Sequence, residues 1–323
     1  ILLIIVIAIV GCALITYHKQ PVLTEEDKEE LSVDNIWKTR TEPEMAEVIE
    51  DNGDALLERI KLISNARDEI ILSTFDFRAD DSGKLILGAL LDASERGVSV
   101  NVIVDGVSGF LRMNGNPYFE ALAAGEGTSI KIYNKVNPFA PWKSMGRLHD
   151  KYLIADRSSY IIGGRNTFSY FLGSSSPYKN YDRDVLVYCA KTDENSSVNQ
   201  LIDYYDSVWN YKESKTLLSS SKTSYKEKIA AKDKVKTAKD ELLAGYEAYC
   251  ADNQEFVDNT DYASETVEVN SIALLSNPID YKVKKPVVWY QLVRLMKSAD
   301  AKVKIHTPVS YTHLRAHETE ADL

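Results

Sequence analysis

The stretch His149-Asp150-Lys151-Tyr152-Leu153-Ile154-Ala155-Asp156-Arg157-Ser158-Ser159-Tyr160-Ile161-Ile162-Gly163-Gly164-Arg165-Asn166 gathers the groups of this chain best suited to handling a phosphate. On a strand, side chains alternate between faces, so His149 and Lys151 project to the same side and can address one anionic group together. A second apolar strand, Tyr160 to Ile162, runs into Gly163-Gly164, where missing side chains let the backbone approach a ligand closely. Asn166 then offers an amide donor. An imidazole that attacks phosphorus needs its far ring nitrogen held, so that the attacking nitrogen is unprotonated and aimed, and a carboxylate does this. Asp182-Arg183-Asp184 opens the strand Val185 to Tyr188 and puts two carboxylates on one strand face, where they can serve the histidine or simply cap the strand.

These groups need a scaffold. Asp54 to Ala66 places Leu56, Leu57, Ile60 and Ile63 on one helical face and leads into the buried-strand pattern Glu69 to Phe75. Ser82 is placed to cap a helix running to Arg96, which Gly97 ends, and Val98 to Asp105 is the next strand. A shorter helix at Tyr118 to Ala124, a strand at Ser129 to Tyr133 and a Pro-rich loop from Asn137 to Trp142, a candidate wall of the site, precede the histidine. Strands alternating with amphipathic helices at this spacing indicate an α/β class with a parallel or mixed sheet. Val198, Leu201, Ile202, Tyr205, Val208 and Trp209 form a helical stripe that reads as core packing.

Singly, a strand histidine, a neighbouring lysine and a Gly-Gly turn are ordinary structural features. Together the spacing His-x-Lys-x4-Asp-x6-Gly-Gly-x-Asn resembles the signature of the phospholipase D superfamily. Arg96-Gly97-Val98, Val104-Asp105-Gly106, Gly146-Arg147-Leu148-His149 and Gly163-Gly164-Arg165-Asn166 look like its bacterial cardiolipin synthase-like branch, with similarity from about Asp51 to Pro308. The resemblance implies an α/β/α sandwich with a mixed sheet, built from two similar halves that each give one motif to a common site. It implies His149 as nucleophile or acid/base, Lys151 and Asn166 as holders of the phosphate oxygens, and Asp182 as the partner of the histidine, with Asp184 as fallback. Asp156, Gly163 and Gly164 are implied as supporting residues, Asp156 in a structural part. No cofactor and no metal are implied; a phospholipid and a membrane are the expected partners, and nucleic acid is not.

The chain has 323 residues and a formal net charge of -10, which argues against a broad electrostatic grip on nucleic acid. Cys12, Cys189 and Cys250 have no paired spacing, so no disulfide framework or zinc ribbon is indicated. Ile1 to Thr16 is almost unbroken apolar sequence, expected as a membrane anchor or signal segment over 1–17, with Cys12 also fitting a lipoprotein-type cleavage site. A stalk is expected at 18–50, the first phospholipase D-like half at 51–211, and a helical linker region at 212–265, solvated over Lys212 to Lys236 and helical near Ala238 to Ala248.

A shift of 233 positions lays Ile60, Leu62, Ile63, Ala66, Ile70, Leu72 and Thr74 over Val293, Leu295, Met296, Ala299, Val303, Ile305 and Thr307. Residues 266–308 are therefore expected to begin a second half, whose own His-x-Lys would fall at about position 382, beyond Leu323. The required second histidine is expected from that further sequence or from a homodimer partner. Residues 309–323 resemble a translated sequencing adapter and are expected to be non-native; the His313, His317 and Glu318 spacing does not amount to a metalloprotease motif. The expected activity is phosphodiester transfer or hydrolysis on phospholipids in the bacterial cell membrane, through a phosphohistidine, with the fragment alone inactive. A dimeric nuclease of the same superfamily and an inactive membrane-associated scaffold are the other readings.

Overall fold

The computed structural model describes residues 2–15, 21–37, 43–143, 146–218, 223–279 and 284–304. The β-branched and aromatic runs pair into one mixed sheet with strands β1 (Glu44–Ile49), β2 (Glu69–Thr74), β3 (Ser99–Asp105), β4 (Thr128–Tyr133), β5 (Tyr152–Ala155), β6 (Ser159–Gly163), β7 (Asp184–Tyr188), β8 (Ser214–Thr216) and β9 (Val267–Val269). Their spatial order is β8-β4-β3-β2-β5-β6-β7-β1-β9. β2, β3 and β4 run parallel, joined by the helices Asp81–Glu95 and Pro117–Ala124. β5 pairs antiparallel with β2, β6 with β5, and β7 with β6, in registers that set Tyr152 opposite Ser73 and Gly163 opposite Asp184. One edge of the sheet therefore collects the ends of β2, β3, β4 and β6 and the beginnings of β5 and β7.

Alternation along β2 feeds two cores. Ile70 and Leu72 pack with Ile60, Leu87, Phe119 and Leu242 under the helices Asn52–Asn65, Asp81–Glu95, Pro117–Ala124 and Asp233–Asp252. Ile71 packs on the other side with Val198, Leu201, Ile202, Tyr205 and Val208 of the helix Ser197–Trp209. Two helical layers around a mixed sheet make the α/β/α sandwich expected. The Asp81–Glu95 helix is capped by Asp80, whose Oδ1 accepts from Gly83 N at 3.1 Å, rather than by Ser82, whose hydroxyl donates to the Leu172 carbonyl at 2.7 Å.

The expected boundaries shift. The stalk at 18–50 contains β1, which pairs with β7 and β9; Glu44 and Glu47 had hidden it, yet Glu44 is buried, accepting from the Ser197 amide at 2.6 Å. Within 212–265, β8 pairs with β4, and the helix expected near Ala238 to Ala248 spans Asp233–Asp252 and buries Val235, Ala238, Leu242 and Tyr246. Gly88 permits that contact: a Cβ there would lie 2.4 Å from the Leu242 carbonyl oxygen. At 266–308, β9 joins the first-half sheet, while the helix Val287–Lys297 occupies positions that the 233-residue offset maps from Asn52–Asn65. The apolar N-terminal segment forms a helix, Leu2–Ile15. Among the described residues no helix is long and apolar enough to cross a membrane. Residues 305–323, including the histidines and glutamate near the C-terminus, lie outside the described residues.

Candidate active site

His149 and Lys151 sit at the shared sheet edge in an extended lead-in to β5, not within the strand itself. They nevertheless converge: Lys151 Nζ lies 3.0 Å from Nδ1 and 3.3 Å from Nε2 of His149, and donates to the His149 carbonyl at 2.7 Å. His149 reaches solvent at the sheet edge with part of its ring set against protein, whereas the body of Lys151 is buried. The Phe75 ring, just past β2, lies 4.9 Å from the imidazole. Asp150, between the two, reaches the other layer, where Tyr204 donates to it at 2.6 Å. His149 is the only histidine among the described residues.

The segment before His149 is fixed by a network that sequence reasoning did not single out for function. Asp105 closes β3, is fully buried, and accepts from the Leu148 amide at 2.8 Å and from Arg147 at 3.4 Å. Arg147 donates to the Asn134 carbonyl at 2.8 Å, and the Asn134 amide donates to the carbonyls of Lys143 and Gly146 at 2.7 Å each. Gly106 allows this approach, because a Cβ would come within 2.1 Å of the Asn134 carbonyl oxygen. The signal available was an acidic residue placed directly at a strand end ahead of a glycine.

Asn166 enters from the end of β6. Its Oδ1 accepts from the Asp76 amide at 3.1 Å, and Phe77 and Thr167 form a parallel bridge, so the loop carrying Asn166 is tied to the end of β2. The space above both Gly163 and Gly164 is taken by carboxylates of the protein itself. A Cβ on Gly163 would stand 2.0 Å from Asp184 Oδ1, and one on Gly164 2.0 Å from Asp182 Oδ2. The two glycines leave room for these carboxylates.

Those aspartates have different surroundings. Asp184 is fully buried and paired with Arg59 at 2.8 Å and Arg165 at 3.3 Å. Arg165 is also buried and donates to Asn52 Oδ1 at 3.0 Å and the Ile49 carbonyl at 3.1 Å. This set binds β6, β7 and the Asn52–Asn65 helix together beneath the site. Asp182 is half-buried, accepts from the Arg183 amide at 2.8 Å, and forms no hydrogen bond to His149 among the described residues. It is near enough to Lys151 to favour the ammonium form. Asp156 lies at the opposite end of β5, about 17 Å away by strand rise. Its carboxylate accepts from the amides of Arg67 at 2.9 Å, Asp68 at 2.8 Å and Glu69 at 3.1 Å.

The electrostatics suit a neutral imidazole beside a cation. Burial, then the Lys151 charge, hold the His149 pKa below its ordinary value, with Asp150 opposing. Burial pushes Lys151 down to about 8, against the pull of Asp150, Asp182 and Asp184. At neutral pH the pair therefore presents an unprotonated ring nitrogen and an ammonium at one point, an arrangement able to attack and neutralise a phosphorus-oxygen anion.

Residues 59–209 match the family model described as cardiolipin synthase, PLD-like domain. The major cardiolipin synthase ClsA of Bacillus subtilis is 29% identical over 147 residues, covering 46% of this chain and 30% of that protein. Cardiolipin synthase B of Escherichia coli K12 is 30% identical over 141 residues, covering 41% of this chain and 32% of that protein. The chain thus spans about a third of the length of these curated relatives. Among solved structures, Nuc from Salmonella typhimurium, described as a phospholipase D family member, aligns at 19% identity with a TM-score of 0.41, covering 54% of this chain and 97% of that one.

Proposed function

Because residues 59–209 form a phospholipase D-like domain, we propose that the protein catalyses phosphodiester transfer or hydrolysis on phospholipids, in the manner of a cardiolipin synthase-like phosphatidyltransferase or a phospholipase D. The observation that carries this reading is the Lys151 ammonium 3.0 Å from the His149 ring at an open sheet edge, with Asn166 on the adjoining loop. Lipid is favoured over nucleic acid by the net charge of -10, by the apolar Leu2–Ile15 helix, and by relatives named as cardiolipin synthases.

In the first step a ring nitrogen of His149 attacks phosphorus, an N–P bond forms, and the ester P–O bond breaks. The departing oxygen takes a proton from a second histidine, supplied by further sequence or by a partner copy. Lys151 swings from the ring to the phosphoryl oxygens, and the Asn166 amide donates to another of them. In the second step water or an alcohol attacks, gives its proton to that second histidine, and the N–P bond breaks. Asp182 positions His149 as the ring gains positive character. Attachment to the bacterial membrane through the Leu2–Ile15 helix keeps the domain at its substrate.

The test offers the protein phosphatidylglycerol and short DNA in parallel. Release of glycerol with cardiolipin formed is the expected result for a transferase, and release of the head group to water for a hydrolase. DNA cleavage without lipid turnover would overturn the lipid reading.

A further inference from the structure

Two loops border His149 at the sheet edge. Residues 106–116 follow β3 and residues 134–148 follow β4; both adjoin the site through the Asp105, Arg147 and Asn134 contacts. Their outer surfaces are apolar: Phe110 and Leu111 are exposed in the first, and Val136, Phe139 and Trp142 in the second, with Phe139 91% exposed. Single exposed apolar residues are ordinary, but five grouped around one site mark an interaction surface. The Leu2–Ile15 helix, on which Leu3, Ile4, Ile5, Val6, Ile7, Val10 and Leu14 are exposed, lies against the turn Pro141–Lys143 of the second loop.

The charge on these loops is as selective as their polarity. In a chain of net charge -10 they contain Arg112, Lys135, Lys143 and Arg147 and no acidic residue. Lys143 and Arg147 face Glu213 and Asp105. Lys135 donates to the neutral Thr216 carbonyl, and Asp76 is shared between Arg78 and Arg112, which leaves a cationic surplus beside the apolar tips. Apolar tips among cations, on an otherwise acidic molecule, complement an anionic lipid surface, where side chains enter the headgroup and upper acyl region and cations meet lipid phosphates.

We propose that the loops 106–116 and 134–148, together with the Leu2–Ile15 helix, form one docking surface for an anionic phospholipid bilayer, setting His149 at headgroup depth. This rests on the phospholipid reading of the site and adds the surface by which the bilayer is met. The interaction does not require a membrane-spanning helix, since it lies in the plane of the interface.

The test uses the full chain carrying Phe139→Trp, an exposed position on the second loop, with phosphatidylglycerol vesicles whose acyl chains are brominated or not. A second variant, Val267→Trp, puts the probe on exposed β9 at the other end of the sheet. The expected result is that the emission added at 139 shifts to the blue and is quenched by bromine, while that at 267 is unchanged. Lys135→Gln is expected to weaken partitioning into phosphatidylglycerol vesicles about fivefold, with no change for phosphatidylcholine vesicles. Vesicle binding without quenching at 139 would mean that the Leu2–Ile15 helix acts alone, and would overturn the proposal. So would equal quenching at both positions, no vesicle binding, or no effect of Lys135→Gln. A concentration-dependent blue shift at 139 without vesicles would identify a protein partner and also overturn it. Quenching at 139 with cleavage of short DNA and no turnover of phosphatidylglycerol would remove the substrate reading and leave the docking surface standing; turnover of phosphatidylglycerol without quenching would do the reverse.

Discussion

At the scale of single residues, the proposed mechanism assigns both the chemistry and its pH range to the pair His149 and Lys151. The imidazole must be neutral and the ammonium charged, so kcat/KM is expected to rise with pH through the lowered His149 pKa and to fall as pH rises through about 8, where Lys151 deprotonates. A pH-rate profile checks this: an upper limb near the ordinary lysine range would remove Lys151 from the phosphate. Holding that ammonium also costs stability. Because the folded pKa lies below 10.5, the unfolded chain binds more protons between about 8 and 10.5, and stability rises with pH across that window. Lys151→Met is therefore expected to abolish activity while stabilising the fold by roughly 1–3 kcal/mol at neutral pH, measured by urea unfolding. For Asp182, the cycle with Gly164 is informative, since a Cβ at 164 displaces the carboxylate. Gly164→Ala and Asp182→Asn are each expected to lower kcat about tenfold, and the double variant no further. Additive losses would mean that the glycine serves something other than Asp182.

At the scale of elements, the site is a meeting of strand ends, and its precision comes from buried ion pairs beneath it. Asp184→Asn leaves the Arg59 and Arg165 charges without their counterion, and is expected to cost roughly 3–5 kcal/mol in urea unfolding. Asp156→Ala removes acceptors from three backbone amides; it is expected to lower stability by roughly 1–3 kcal/mol and leave kcat of the folded protein unchanged. The regular elements were legible because their apolar periods are local: β2 to β4 and the helices between them fall within a residue or two of the patterns that announced them. β1 was not legible, since its partners β7 and β9 are remote in sequence and the hydrogen bonds from Ser197 and Cys189 that hold Glu44 come from remote segments no local pattern reveals. The contact between His149 and Lys151 was readable from spacing. The Asp105, Asn134 and Arg147 support was not, because it joins residues from three separate strand ends.

At the scale of the whole molecule, one sheet takes in segments that sequence divides among stalk, linker and second half. The 233–252 helix and β9 secure the domain from the C-terminal side, so removal of residues beyond 211 is expected to unfold it rather than release a stable half. The Val287–Lys297 helix leaves Trp289, Leu292 and Met296 exposed on an amphipathic face, while His149 is the only histidine among the described residues. The most direct test of the central claim is to incubate the protein with phosphatidylglycerol radiolabelled in its phosphate, quench in alkali, and map the bound label. The expected result is an acid-labile, alkali-stable phosphate on His149, lost in His149→Ala and retained in Asp156→Ala. Label on another residue, or lipid turnover that survives His149→Ala, would contradict the account.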